Sequence, residues 1–92
     1  MFMSVRVQPT PNPNARKFIL AQKQFEQSLN FSSAEESAGN QLASDLYALD
    51  GVYNVFMAQD FVTVNKLPEA NWEVLEAAVL TVLATYFDDK LA

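Results

Sequence analysis

The chain has 92 residues, 50% hydrophobic and 12% aromatic, which is enough apolar material for one core and too little for two. Its formal charge is -5, and it contains no cysteine and no histidine. Their absence excludes disulfides, thiolate nucleophiles, thiolate-held zinc or iron-sulfur clusters and the usual catalytic triads, and the charge argues against a nucleic-acid partner.

The charge is unevenly placed. Arg6, Arg16, Lys17 and Lys23 precede the first acidic residue, Glu26, after which come only Lys66 and Lys90 against all eleven carboxylates. Two readings fit: exposed strand positions that happen to be basic, or a local basic patch for an acidic partner or anion. Met1-Phe2-Met3-Ser4 lacks the charged start of a leader segment, and no apolar run approaches membrane-spanning length. The expectation is one soluble, cytoplasmic domain over residues 1–92, with no membrane partner.

Val5 and Val7 alternate with Ser4, Arg6 and Gln8, the period of a strand with one buried face, and the run ends at Pro9. Pro9-Thr10-Pro11-Asn12-Pro13-Asn14 follows as a stiff connector that fits neither helix interior nor central strand. Lys17 to Ala21 reads as the returning strand, and Phe25 to Phe31 as a weaker third one. Ser32, Ser33, Glu35 and Glu36 offer two overlapping Ser-x-x-Glu boxes, but Gly39-Asn40 interrupts, so a turn is expected there.

A helix capped by Asn40 comes next, with Leu42, Leu46 and Leu49 on one stripe and Gly51 as its left-handed stop. Val52 to Met57 and Phe61 to Asn65 form a hairpin around Ala58-Gln59-Asp60. Alternation places Val55, Met57, Val62 and Val64 inward and Phe56, Phe61 and Thr63 on the opposite face. Asn71 then caps a second helix in which Trp72, Leu75, Val79, Val82 and Tyr86 recur through about Phe87.

The order β-β-(β)-α-β-β-α predicts a two-layer α+β domain: a largely antiparallel sheet of four or more strands with two helices on one face. The other sheet face stays open, so Phe56 and Phe61 are either shielded by neighbouring strands or form an apolar patch for a partner.

Thr10-Pro11-Asn12-Pro13-Asn14-Ala15-Arg16-Lys17-Phe18, the hairpin stretch from Asp50 to Val64, and Asn71-Trp72-Glu73-Val74-Leu75 can be read together. In this order they resemble the N-terminal domain of the Nfu-type (NifU-related) iron-sulfur scaffold proteins, over about Val5 to Phe87. The first matches that family's T-P-N-P-N-x-x-K-F, the second its E-G-V-x-x-V-F-F-G-x-D-F-I-T-V, and the third its W-x-x-L. Asp50 stands where the family often has Glu, Met57 where it has Phe, and Gln41 where proline often opens the first helix. Ala58-Gln59 replaces a glycine and a variable residue, which puts the turn geometry in question because alanine lacks glycine's backbone range.

Full-length members follow this domain with a second one whose Cys-x-x-Cys carries the cluster, and none stands here. The resemblance implies a free-standing, non-catalytic accessory domain of iron-sulfur cluster assembly. Its partner would be a Cys-x-x-Cys Nfu-type scaffold domain, an apo-target or another assembly protein, and no cofactor would be bound directly. The alternatives are a stand-alone iron-binding protein using carboxylates and a small enzyme with a carboxylate acid/base pair. For both, Glu35-Glu36 and Asp88-Asp89 are the obvious pairs, though each lies near a helix end in a hydrophilic stretch, where solvated surface charge is the preferred reading.

The candidate contact residues are Thr10, Pro11, Asn12, Pro13, Asn14, Arg16 and Lys17 in and beside the connector, with Phe56, Asp60 and Phe61 on the hairpin. A rigid turn alone would explain the connector's residue types, and the same stiffness would let it dock a partner at low entropic cost. Lys17, aligned with the family lysine, is the leading polar contact. Trp72 reads as core or cap packing.

Overall fold

The computed structural model describes residues 5–91, with side chains as far as Phe87. The expectations placed on Met1 to Ser4 lie outside the described residues, and those placed on the Asp88-Asp89 carboxylates lie outside the described side chains. Five strands, β1 (Arg6–Pro9), β2 (Ala15–Ile19), β3 (Phe25–Phe31), β4 (Val52–Gln59) and β5 (Phe61–Lys66), form one antiparallel sheet in the order β1-β2-β5-β4-β3. Helices α1 (Ala34–Ser37) and α2 (Gln41–Tyr47) lie between β3 and β4, and α3 (Trp72–Leu91) follows β5. This is the α+β arrangement expected from the sequence.

The central hairpin sets the core. Val55 pairs with Val64 and Met57 with Val62, and all four side chains are fully buried. Phe18 joins them from β2, because its partner Val62 fixes which face it takes. Leu42, Ala43 and Leu46 of α2 and Trp72, Leu75, Val79, Leu83 and Phe87 of α3 close over this face. Along α3, Leu83 and Phe87 are the buried positions, where the sequence pattern pointed to Val82 and Tyr86. Steps of three and four residues both keep to a helical stripe, and the sheet beneath selects the step of four after Val79. Val82 and Tyr86 pack half-buried at the margin.

Several boundaries differ from expectation. α3 continues to Leu91 instead of stopping near Phe87, and α2 ends at Tyr47, two residues before Leu49. β1 runs through Pro9, tolerable because an edge strand needs no partner for the missing N–H. Residues 34–37 form a helical turn where a non-helical turn was expected. Ser33 Oγ accepts from the Glu36 N–H at 3.1 Å, and the Glu36 carboxylate accepts from the Ser32 N–H at 2.9 Å and its hydroxyl at 3.0 Å. The overlapping Ser-x-x-Glu signals thus close one cap between them.

Asn40 Oδ1 caps α2 by accepting from the Ala43 N–H at 3.0 Å, and Asn71 Oδ1 accepts from the Glu73 N–H at 2.8 Å. Tyr47 anchors the end of α2, its hydroxyl lying 2.8 Å from the carbonyls of both Phe31 and Tyr53. Burial, then the negative charge of Glu36 and the neighbouring Tyr53, push this phenol above its usual range.

β2 and β3 sit on opposite sides of the hairpin, so the segment joining them must cross its tip. That crossing is pinned by backbone: Leu20 N–H donates to Asp60 O at 2.6 Å and Gln24 N–H to Gln59 O at 2.8 Å. The hairpin connection is two residues, Gln59-Asp60, rather than the three expected, since Ala58 pairs with Phe61. Positive φ falls on Gln59 (52°). Ala58, which stands where the family the sequence resembles has glycine, therefore needs no glycine-like backbone, and the turn closes without one.

Candidate functional site

The connector's own side chains hold it rigid. Asn12 Oδ1 accepts from the Asn14 N–H at 2.9 Å, its carbonyl accepts from the Ala15 N–H at 3.0 Å, and Thr10 Oγ1 accepts from the Asn12 N–H at 3.1 Å. Two side-chain ties between residues far apart in the chain fasten the connector to the body: Trp72 Nε1 donates to Pro13 O at 3.0 Å, and Lys66 Nζ donates to Asn14 Oδ1 at 3.0 Å. Pro11, Asn12 and Pro13 remain exposed at the tip. The turn is thus built in, and three rigid side chains are presented to solvent.

Lys66 was not singled out by sequence reasoning. It is 8% exposed, and its ammonium is surrounded by oxygens: Asn14 Oδ1 and, at 3.3 Å each, the carbonyls of Leu67 and Pro68. It cross-links the connector to the loop leading into α3. A lysine at the end of a strand carries no sequence signal of burial, because its acceptors are a side chain 52 positions away and nearby backbone carbonyls.

Arg16 and Lys17 part company. As neighbours on β2 they point to opposite faces of the sheet. Arg16 turns toward the helices, where it ion-pairs with Glu76 and stacks 5.1 Å from the Trp72 ring centroid. Trp72 is 8% exposed, tilted against Phe18 at 6.5 Å, and is core as expected. The anticipated basic pair beside the connector is therefore split, with Arg16 committed to packing.

Lys17 turns to the uncovered face. There its ammonium lies 4.2 Å from the Phe61 ring centroid, and Phe61 in turn lies 6.0 Å from Phe56. Cross-strand pairing aligns two rows on this face: Arg6, Ile19, Phe61 and Ala58, then Gln8, Lys17, Thr63, Phe56 and Asn30. α2 and α3 both lie on the other side, against the core. Phe56, Phe61 and Ile19 are half-buried, flanked by their neighbours yet not roofed. Of the two readings left open for the aromatic pair, shielding by adjacent strands is partial, and a continuous apolar strip remains. Ile19 belongs to it and Arg6 borders it; both were missed, although their alternation with Val5, Val7 and Phe18 already placed them on this face. Asp60 sits exposed in the turn at the end of the strip.

A concavity of about 440 Å³ lies between the α2–β4 turn, the loop after β5 and the first turns of α3. Leu49, Gly51, Leu67, Ala70 and Val74 line it, with Asp50 and Glu69 exposed at its rim. Gly51, at φ +96°, forms part of the wall.

Among the described residues no three Asp or Glu side chains gather as a metal site would require. Glu36 is engaged in its cap, whose backbone hydrogen bond from Ser32 and then the Ser32 hydroxyl hold its carboxyl below the usual glutamate range. With no thiolate and no imidazole in the chain, its residues do not fit an iron-sulfur cluster. No helix among the described residues is long and apolar enough to cross a membrane.

Residues 5–90 match the family model described as the N-terminal domain of scaffold protein Nfu/NifU. The chain is 35% identical over 79 residues to conserved virulence factor C of Staphylococcus haemolyticus, covering 86% of this chain and 21% of that protein. It is 32% identical over 92 residues to the human mitochondrial NFU1 iron-sulfur cluster scaffold homolog, covering 98% of this chain and 36% of that protein. It thus spans from a fifth to about a third of these relatives' length. Among solved structures it is similar to protein SAV1430 of Staphylococcus aureus, with a TM-score of 0.75 at 28% identity over 87% of this chain and 98% of that one.

Proposed function

Since the chain belongs to the Nfu/NifU N-terminal scaffold family, which is linked to iron-sulfur cluster biogenesis, we propose that it is a non-catalytic docking domain of that process. It acts by holding a cluster-carrying scaffold domain or an apo-target, in the cytoplasm. The cluster is the partner's cargo, because this chain has no thiolate or imidazole to ligate it.

The observation that carries the reading is the uncovered sheet face, where Lys17, Phe61 and Phe56 meet across three strands. Aromatic side chains on a rigid sheet supply contact area at little conformational cost, the usual make-up of an interface centre. The exposed Pro11-Asn12-Pro13 tip, pre-ordered by its own hydrogen bonds, adds a second rigid contact element. Asp50 and Glu69 lie open at a groove rim instead of enclosing a reacting group, which favours docking over acid/base chemistry.

The test is an NMR titration of the chain with an Nfu-type domain bearing Cys-x-x-Cys. Shifts concentrated on β2, β4 and β5 and on residues 10–17 are expected, and Phe61→Ala should weaken them at least about tenfold, as for an interface anchor. Absence of binding, or binding untouched by Phe61→Ala, would refute the docking face.

A further inference from the structure

The uncovered sheet face bears a charge opposite in sign to the molecule as a whole. Its two cross-strand rows contain the cations Arg6 and Lys17 and no carboxylate, on a chain with eleven acidic residues and a net charge of -5. The described carboxylates other than Glu26 lie elsewhere. Glu35, Glu36, Asp45, Glu73 and Glu76 are on the helices, and Asp50 and Glu69 edge the groove beside α3. At the sheet's end Asp60 occupies the hairpin turn, and Glu26, on β3 at the far border of the face from Arg6 and Lys17, has its charge met by Lys23 at 3.6 Å. Arg16, the remaining cation of β2, is taken up by Glu76 on the helical side. Neither Arg6 nor Lys17 is ion-paired among the described residues.

We propose that this face takes a partner segment carrying carboxylates beside an apolar or aromatic side chain. The apolar group lies on the Ile19-Phe61-Phe56 strip and the carboxylates meet Arg6 and Lys17. The inference rests on the sheet face being the docking face. Lys17 is already held over the Phe61 ring, so an arriving carboxylate forms a charge-assisted hydrogen bond while the ammonium keeps its aromatic contact. A basic segment would meet two uncompensated like charges, which is how an interface rejects the wrong partner.

The experiment uses two synthetic peptides of roughly twelve residues with the same Phe and Leu anchors, one in a Glu background and one in a Lys background, a charge reversal that isolates the electrostatic contribution. Amide shifts of the labelled chain are followed at about 50 and about 300 mM salt, which brackets the onset of strong screening. The Glu peptide should shift β2, β5 and Phe56, bind at least about fivefold more tightly than the Lys peptide, and lose most of that preference at high salt. Lys17→Glu should reverse the preference, and Arg6→Glu provides a second variant at an exposed edge-strand position should the first perturb the sheet.

Equal or tighter binding of the Lys peptide overturns the proposal, as do shifts confined to the helices or to the Leu67-Val74 groove. Concentration-dependent shifts of the chain alone would also overturn it, by showing that the face pairs with a second copy. If the Cys-x-x-Cys domain docks on the sheet while the Glu peptide does not bind, the acidic-partner inference fails and the docking reading stands. If the Glu peptide binds the sheet and the domain does not, the docking partner is wrong and the face's chemistry stands.

Discussion

Replacing Gly51 by alanine tests how the turn before the hairpin is closed. Gly51 has φ +96°, and an added Cβ would lie 2.7 Å from the Cβ of Ala70, a separation so short that something must shift. An L-residue in a left-handed conformation costs about 1–2 kcal/mol, and overpacking against a neighbour that cannot swing away costs about 1–3 kcal/mol more. Gly51→Ala should therefore lose roughly 2–5 kcal/mol, a large part of a small domain's stability. Gly39 is the internal control, because its φ is not positive and a Cβ there would meet nothing within 4 Å. Gly39→Ala should be neutral or stabilise by about 0.4–1 kcal/mol through the unfolded chain.

Both variants are measured by urea unfolding and by thermal melts, followed by fluorescence of the chain's single tryptophan, Trp72. For a domain of this size Gly51→Ala should lower Tm by roughly 8 °C or more. A Gly51→Ala variant within about 0.5 kcal/mol of the parent, the range of an ordinary surface change, would refute the reasoning. So would a Gly39→Ala variant less stable than Gly51→Ala.

The Lys66 cross-link is tested by a double-mutant cycle. Lys66→Met leaves the oxygens of Asn14, Leu67 and Pro68 without their shared donor and should cost about 2–3 kcal/mol. Coupling to Asn14→Ala should exceed about 0.5 kcal/mol, and strict additivity would show that the two side chains do not act together. Glu36 yields a pH signature. Its carboxyl is held below the ordinary value of 4.5 in the folded chain, so its stabilisation is present above that value and lost as pH falls through the depressed one. In acid unfolding curves, Glu36→Gln should show a smaller loss of stability below pH 4.5 than the parent, and superimposable curves would remove Glu36 from the acid response.

Local signals were legible wherever the determining contacts were local. Asn40 and Asn71 cap helices because their side chains reach N–H groups two or three residues ahead. Val55, Met57, Val62 and Val64 are buried because strand alternation and a short turn bring them to one face. The open face was equally legible in outline, since a two-layer order with both long helices on one side leaves the other bare. The Ser32–Gly39 stretch was misread because two competing caps and a nearby glycine look like interruption, whereas the cap closes using both serines.

The sequence by itself determined the two-layer α+β class, the hairpin, its inward valines and the stiffness of the proline-rich connector, all consequences of periodicity and backbone chemistry. Only the tertiary structure decided which strands neighbour each other, that Arg16 belongs to the helices while Lys17 stays with Phe61, and that Lys66 is buried. Those outcomes depend on partners far along the chain: Glu76 and Trp72 for Arg16, Asn14 for Lys66, Phe61 for Lys17. A one-residue step along a strand reverses a side chain's face, and no local rule can say what waits there until the sheet and helices have packed.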